Sequence, residues 1–107
     1  MKLVDLEPQF LKVIDADSHC YVDTILEAQG LLFLCPLCFI NNNGPIGTHS
    51  ILTWFRDRGV PDDQIPIPGR WIMSGSDYSN LNLYPSIQLT LGCKWHGNII
   101  NGNIQIL

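Results

Sequence analysis

Two short stretches hold the residues best equipped for chemistry. Cys35-Pro36-Leu37-Cys38 and Cys93-Lys94-Trp95-His96 each place two metal-binding side chains with two residues between them. A tight turn at that spacing points both side chains at one ion. Two such knuckle-like pairs supply three thiolates and one imidazole, a tetrahedral set that suits zinc. The predicted ligands are therefore Cys35, Cys38, Cys93 and His96. The pairs are separated by 54 residues, more than in a minimal zinc finger, so the ion would tie together distant parts of one domain. Cys93-Lys94-Trp95-His96-Gly97 also resembles half of a Rieske iron–sulfur motif. That motif needs a second Cys/His box, and this chain offers Cys-Pro-Leu-Cys instead. Ligand type sets preferences only, so zinc and iron both stay open. Four protein donors would close the coordination sphere, whereas a catalytic zinc keeps a position open for water. The reading is a structural ion that contributes folding free energy.

Other reactive residues read less sharply. His49, in Gly47-Thr48-His49-Ser50, is a low-ranking catalytic candidate or an exchangeable further ligand, and otherwise a histidine hydrogen-bonded at a strand edge. Asp77 is its conceivable partner in a hydrolase. His19-Cys20 invites a nucleophile reading, but sequence neighbours seldom align for proton transfer and no third orienting group is evident. Trp54, Trp71 and Trp95 read as core or metal-shielding residues. Arg70 reads as a surface cation.

The elements that must carry these residues are short. Phe10 to Asp15 predicts a first strand. Residues 18–29 predict a helix, with Ser18 as cap, an apolar stripe of Val22, Ile25, Leu26 and Ala28, and Gly30 at the left-handed stop. Leu31 to Leu34 predicts a buried strand leading into Cys35. Asn41 to Pro45 is turn material. His49 to Phe55 predicts a strand. Gly59 to Gly69 holds Pro61, Pro66 and Pro68 and reads as a constrained loop. Arg70 to Met73 predicts a strand, and Ser74 to Asn80 a turn. Ser86 to Leu91 alternates, with Ile87, Leu89 and Leu91 on one face. Ile99-Ile100-Asn101-Gly102-Asn103-Ile104 is a two-residue hairpin signal, because a type I′ turn needs positive φ at both central residues. The expected fold class is α+β, mostly β: a small single zinc-stapled domain over 1–107, with one N-terminal helix and antiparallel strands.

Composition narrows the functional classes. The chain has 107 residues, 15% charged, with a net charge of −4. Residues 1–29 hold six acids and two bases, and residues 30–107 hold four of each. The whole net charge thus lies in an acidic first quarter, ahead of a neutral β-rich part that carries the metal ligands. Low charge argues against a disordered acidic tail or a charged coiled coil. No cationic cluster is present to release counterions from nucleic acid. The longest apolar run, Leu31 to Ile40, is half of a membrane span. Asp5, Glu7 and Pro8 break up a secretory signal. A cytoplasmic setting is expected, where paired cysteines hold metal more often than they form disulfides.

Phe33-Leu34-Cys35-Pro36-Leu37-Cys38-Phe39, Gly47-Thr48-His49-Ser50, Pro68-Gly69-Arg70-Trp71, Pro85-Ser86-Ile87 and Cys93-Lys94-Trp95-His96-Gly97 with Asn101-Gly102 together resemble an uncharacterised family of small bacterial and phage zinc-binding proteins. The likeness spans about residues 28–104, and the acidic N-terminal quarter fits it only loosely. Some members of that family lie beside ubiquitin-like conjugation genes. The resemblance implies a metal role for the paired residues, a role for His49 and a phage or bacterial origin, but no established activity. The first expectation is a non-enzymatic zinc-binding module that acts by contact with a protein partner. One alternative is a metal-associated hydrolase using His49. Another is a phage inhibitor of a host defence protein, its acidic segment steering it to a basic surface.

Overall fold

The computed structural model describes residues 1–67, 69–90 and 92–107. Among these residues eight strands form two four-stranded antiparallel sheets. The first has the order β2-β1-β3-β4, from β1 (Gln9–Asp15), β2 (Ser18–Val22), β3 (Gly30–Leu34) and β4 (Ser50–Trp54). The second has the order β5-β6-β7-β8, from β5 (Ile72–Ser74), β6 (Asn82–Gln88), β7 (His96–Ile100) and β8 (Asn103–Ile106). Among the described residues a single α-helix, α1 (Pro36–Asn42), follows β3. The mostly-β, antiparallel expectation matches this architecture. The exposed surface is 6164 Å², close to the roughly 6,000 Å² that scaling with mass gives for a compact chain of this size.

The helix lies elsewhere than the sequence pattern placed it. Residues 18–22 form a hairpin with β1, pairing Phe10 with Val22 and Lys12 with Cys20. The Asp15 carboxylate accepts from the Asp17 amide at 3.0 Å and shapes the turn between them. Ser18, His19, Cys20, Tyr21 and Val22 are all mediocre helix formers, so strand pairing wins. Residues 24–28 keep only one tight turn, in which the Glu27 amide donates to the Thr24 carbonyl and the Ala28 amide to the Ile25 carbonyl. Gly30 is therefore no helix stop. It sits in β3, where an added Cβ would lie 2.6 Å from Trp54 Cε3, so the indole needs glycine beneath it. The observed helix instead begins with Pro36 in its first turn and ends on Asn43 with φ +54, consuming part of the Asn-rich stretch assigned to a turn.

The C-terminal hairpin forms as expected. Asn101 and Gly102 take φ +49 and +71 between β7 and β8. β6 starts earlier than the alternation suggested, at Asn82, and its register against β7 shifts between Leu83 and Ile87. Ile87 is buried and Leu89 half-buried, as expected, while Leu91 lies outside the described residues, as does Pro68 of the proline loop.

One apolar core joins the sheets. Phe10, Leu31, Phe33 and Ile51 from the first pack with Leu83, Ile87, Ile99 and Ile104 from the second, and Trp95 sits among them. Leu3 and Leu6, in a short 3-10 turn, are fully buried in the same core. The chain start also bonds the second sheet: the Leu3 amide donates to the Gly102 carbonyl and the Ile104 amide to the Met1 carbonyl. The acidic quarter is thus woven into both sheets. Between the sheets, the Trp71 amide donates to the Trp54 carbonyl at 3.0 Å and the Arg56 amide to the Trp71 carbonyl at 2.7 Å, a parallel bridge of Phe55 with Trp71.

Candidate metal centre

Three parts of the fold meet at one point. β3 delivers Cys35, which caps the start of α1. Cys38 lies in the first turn of that helix, three residues on, and so shares its face. The Cys35 carbonyl accepts from the Phe39 amide at 2.9 Å, which closes the turn. His49 precedes β4. The pairing of Leu34 with Ser50 continues one step outward, where the Cys35 amide donates to the His49 carbonyl at 2.9 Å. Cys93 arrives from the second sheet, in the connection between β6 and β7, where Lys94 takes φ +55.

The Sγ atoms of Cys35, Cys38 and Cys93 and a ring nitrogen of His49 all lie within 4.8 Å of one another. Cys35 Sγ is 3.4 Å from Cys93 Sγ, and His49 Nε2 is 3.3 Å from the same sulfur. Zinc bonds of about 2.3 Å to sulfur and about 2.0 Å to nitrogen would set donors roughly 3.5–3.8 Å apart at tetrahedral angles. The cluster is thus already near the size of such a shell. His49 Nδ1 lies 3.4 Å from the Ser50 carbonyl oxygen. A proton on Nδ1 would leave the Nε2 lone pair aimed at the thiols.

The thiols feel their convergence. Burial pushes Cys35 up to about 12. Cys38 is also raised, by burial first and then by its hydrogen bond with Cys93. Burial raises Cys93 too, but the hydrogen bond with His49, the Trp95 amide and the neighbouring thiols outweigh it and bring Cys93 down to about 7. A divalent ion would favour all three thiols in their ionised form. A Cys3His cluster of this form could hold a metal ion.

The structure brings together Cys35, Cys38 and Cys93, and it sets His49 beside them in place of His96. His96 opens β7, with its Nε2 3.1 Å from Ser86 Oγ. Alternation along the strand explains this. Trp95 turns inward to the core at 1% exposure, so His96 turns to the opposite side. The Cys-x-x-His spacing is real, but its last residue belongs to a strand and no longer to a turn. His49 could have been found by folding the two predicted strands, 31–34 and 49–55, onto each other as an antiparallel pair, which sets residue 49 against residue 35.

The remaining candidates separate. His19 and Cys20 are consecutive on β2 and so face opposite ways, with Cys20 exposed. Asp77 bonds the Ser79 amide and hydroxyl within its own turn, bonds that hold its carboxyl below the usual carboxylate range. Trp54 and Trp95 are core, while Trp71 is half-buried and lines an open cavity of about 630 Å³ that His49 also borders. Arg70 does more than decorate the surface. Its guanidinium donates to the carbonyls of Pro61, Gln64, Pro66 and Gly69 at 2.8 to 3.0 Å, and so gathers the proline loop around itself. Nothing in the sequence pattern announced that role.

No protein-family model, curated protein or solved structure matches this chain. No helix among the described residues is long and apolar enough to cross a membrane.

Proposed function

We propose that the cluster is a structural zinc centre in a small protein-interaction module. The supporting observation is that four protein donors, three sulfurs and one imidazole nitrogen, lie within 4.8 Å of one another. Thiolate-rich tetrahedral sets favour zinc over magnesium, calcium or manganese. Four such donors leave no position for substrate water, so the ion serves the fold. It would join the two sheets, since Cys35, Cys38 and His49 flank β3 and β4 and Cys93 lies between β6 and β7. On the resemblance of its motifs we assign the module to a phage or bacterial setting, where its work would be contact with a partner protein.

The test is native mass spectrometry of the chain purified from its own host without added metal. The expected result is one zinc per chain together with a co-purifying protein. Iron in the site would overturn the zinc assignment, and a metal-free folded chain would overturn the centre itself.

A second reading has one observation in its favour. His49 is exposed and borders the 630 Å³ cavity, as a residue that leaves the ion to meet a substrate would. A metal-associated hydrolase predicts that His49→Cys keeps zinc yet loses an activity found in the wild type.

A further inference from the structure

The three sulfurs of the cluster are not equivalent. Cys35 is fully buried, whereas Cys38 and Cys93 are half-buried. An oxidant arriving from solvent therefore reaches Cys38 or Cys93 before Cys35. Cys93 Sγ touches both environments. It lies 3.4 Å from the buried Cys35 Sγ and 3.3 Å from Nε2 of the exposed His49.

A disulfide sets its sulfurs about 2.05 Å apart, so Cys35 and Cys93 need to close by only about 1.4 Å. Cys93 lies in a turn between β6 and β7. A shift of that size therefore falls on a connection and breaks no strand ladder. The two residues are 58 apart in the chain. One follows β3 of the first sheet, and the other lies between two strands of the second. A bond between them would join the same two sheets that the ion joins.

We infer that the Cys35–Cys93 pair is an oxidation site for hydroperoxides, where a disulfide replaces the metal ion as the link between the sheets. The Cys93 thiolate attacks one oxygen of hydrogen peroxide. A sulfur–oxygen bond forms, the oxygen–oxygen bond breaks, and the departing hydroxide takes a proton from solvent and leaves as water. The Cys35 thiolate then attacks the sulfenic sulfur of Cys93. The sulfur–sulfur bond forms, the sulfur–oxygen bond breaks, and a second hydroxide leaves, again protonated by solvent. Two thiolates, one peroxide and two protons thus give one disulfide and two waters. The sulfurs lose two electrons and the peroxide gains them. A disulfide sulfur is no longer a thiolate ligand, so Cys38 and His49 alone remain as donors. Half of a tetrahedral set does not hold zinc, and the ion is released. The new covalent link keeps the unfolded chain constrained and so offsets part of the lost metal stabilisation. Metal release rests on the zinc centre proposed above, whereas the sulfur pair stands on its own geometry.

The test treats the full zinc-loaded chain with hydrogen peroxide, follows zinc with a chromogenic chelator, then unfolds and alkylates the chain and maps its linkages by mass spectrometry. The expected result is one zinc released for each disulfide formed, a Cys35–Cys93 linkage, and alkylated Cys20 and Cys38. Reduction with dithiothreitol and added zinc should restore the metal. Cys20→Ser should behave as the wild type, since Cys20 is exposed on β2 and outside the cluster. Cys93→Ser should leave the shielded Cys35 sulfur unoxidised. If that variant misfolds, the linkage map of the wild type decides. A Cys35–Cys38 linkage, sulfinic acid at Cys93 without a disulfide, or zinc retained in excess peroxide would overturn the inference. A chain that never held zinc would overturn the zinc reading alone, because the same map on metal-free protein still decides whether Cys35 and Cys93 are the pair.

Discussion

Cys35 and His49 face each other across two antiparallel strands, the Cys35 amide donating to the His49 carbonyl at 2.9 Å. The backbone bond that ends the β3–β4 ladder also sets the thiol beside the imidazole. Strand register and ligand placement are therefore the same fact at this point.

The two histidines separate experimentally. His49→Ala is expected to remove most of the metal affinity, read as zinc content after dialysis. His96→Ala should leave zinc in place and cost about 1 kcal/mol, the net worth of its bond to Ser86, read by denaturant unfolding. Equal zinc loss in both variants would show that the fourth donor is not His49.

Cys35→Ser should be more damaging than Cys20→Ser. Cys35 is fully buried at the cluster, and Cys20 is exposed on β2. Loss of a structural ion removes the folding free energy its binding supplies. The Cys35 variant is expected to bind no zinc and to lose cooperative thermal unfolding, while the Cys20 variant melts as the wild type does.

Acidity acts on the centre with a definite sign. At neutral pH the metal-free cluster keeps Cys35 and Cys38 protonated, and Cys93 titrates near 7. Binding must expel those protons, so zinc affinity rises with pH, more steeply below 7 than above it. Competition titrations with a chromogenic chelator at several pH values read this directly. The metal-free chain has an opposite trend in alkali. Unfolded Cys35 ionises from its ordinary value of 9.0, whereas the folded thiol holds its proton to about 12. Metal-free stability should therefore fall across that window.

Gly30→Ala tests the strand that replaces a helix stop. Its methyl group would press on Trp54, whose indole is fully buried. Overpacking of this kind costs about 1–3 kcal/mol, visible as a lowered melting temperature. A helix-terminating glycine with φ above zero would instead show strain without any change in Trp54 fluorescence.

Arg70→Ala should loosen the loop of residues 61–67 without disturbing zinc. Four carbonyls lose a charged donor, and bonds of that type contribute about 1.5–3 kcal/mol in favourable cases. Limited proteolysis should cut the variant within this loop first.

Most strands were legible because their signals are local. Leu31 to Leu34, His49 to Phe55 and the Asn101-Gly102 hairpin each announce themselves by residue type and turn chemistry, and each lies within a residue or two of its expected place or extends from it. The segment 18–29 was misread because its apolar spacing fits a helix, while pairing with β1 decides its state. α1 was hidden by the Cys-Pro-Leu-Cys pair, which reads as a turn whether or not a helix follows. Three cysteines of the cluster were found by spacing. His49 was not, since its place depends on a pairing between strands, and so does the strand phase that turns His96 to Ser86.

The donors also imply an order of assembly. Cys35, Cys38 and His49 arise from one contiguous stretch of the first sheet, whereas Cys93 lies 44 residues beyond His49. The three local donors need only a short loop to close, and loop closure grows costlier with length. An ion could rest on this half-site while the second sheet is still unformed. Arrival of Cys93 would then convert a loosely held ion into a latch, and the last coordination bond would report that the two halves of the protein have found each other.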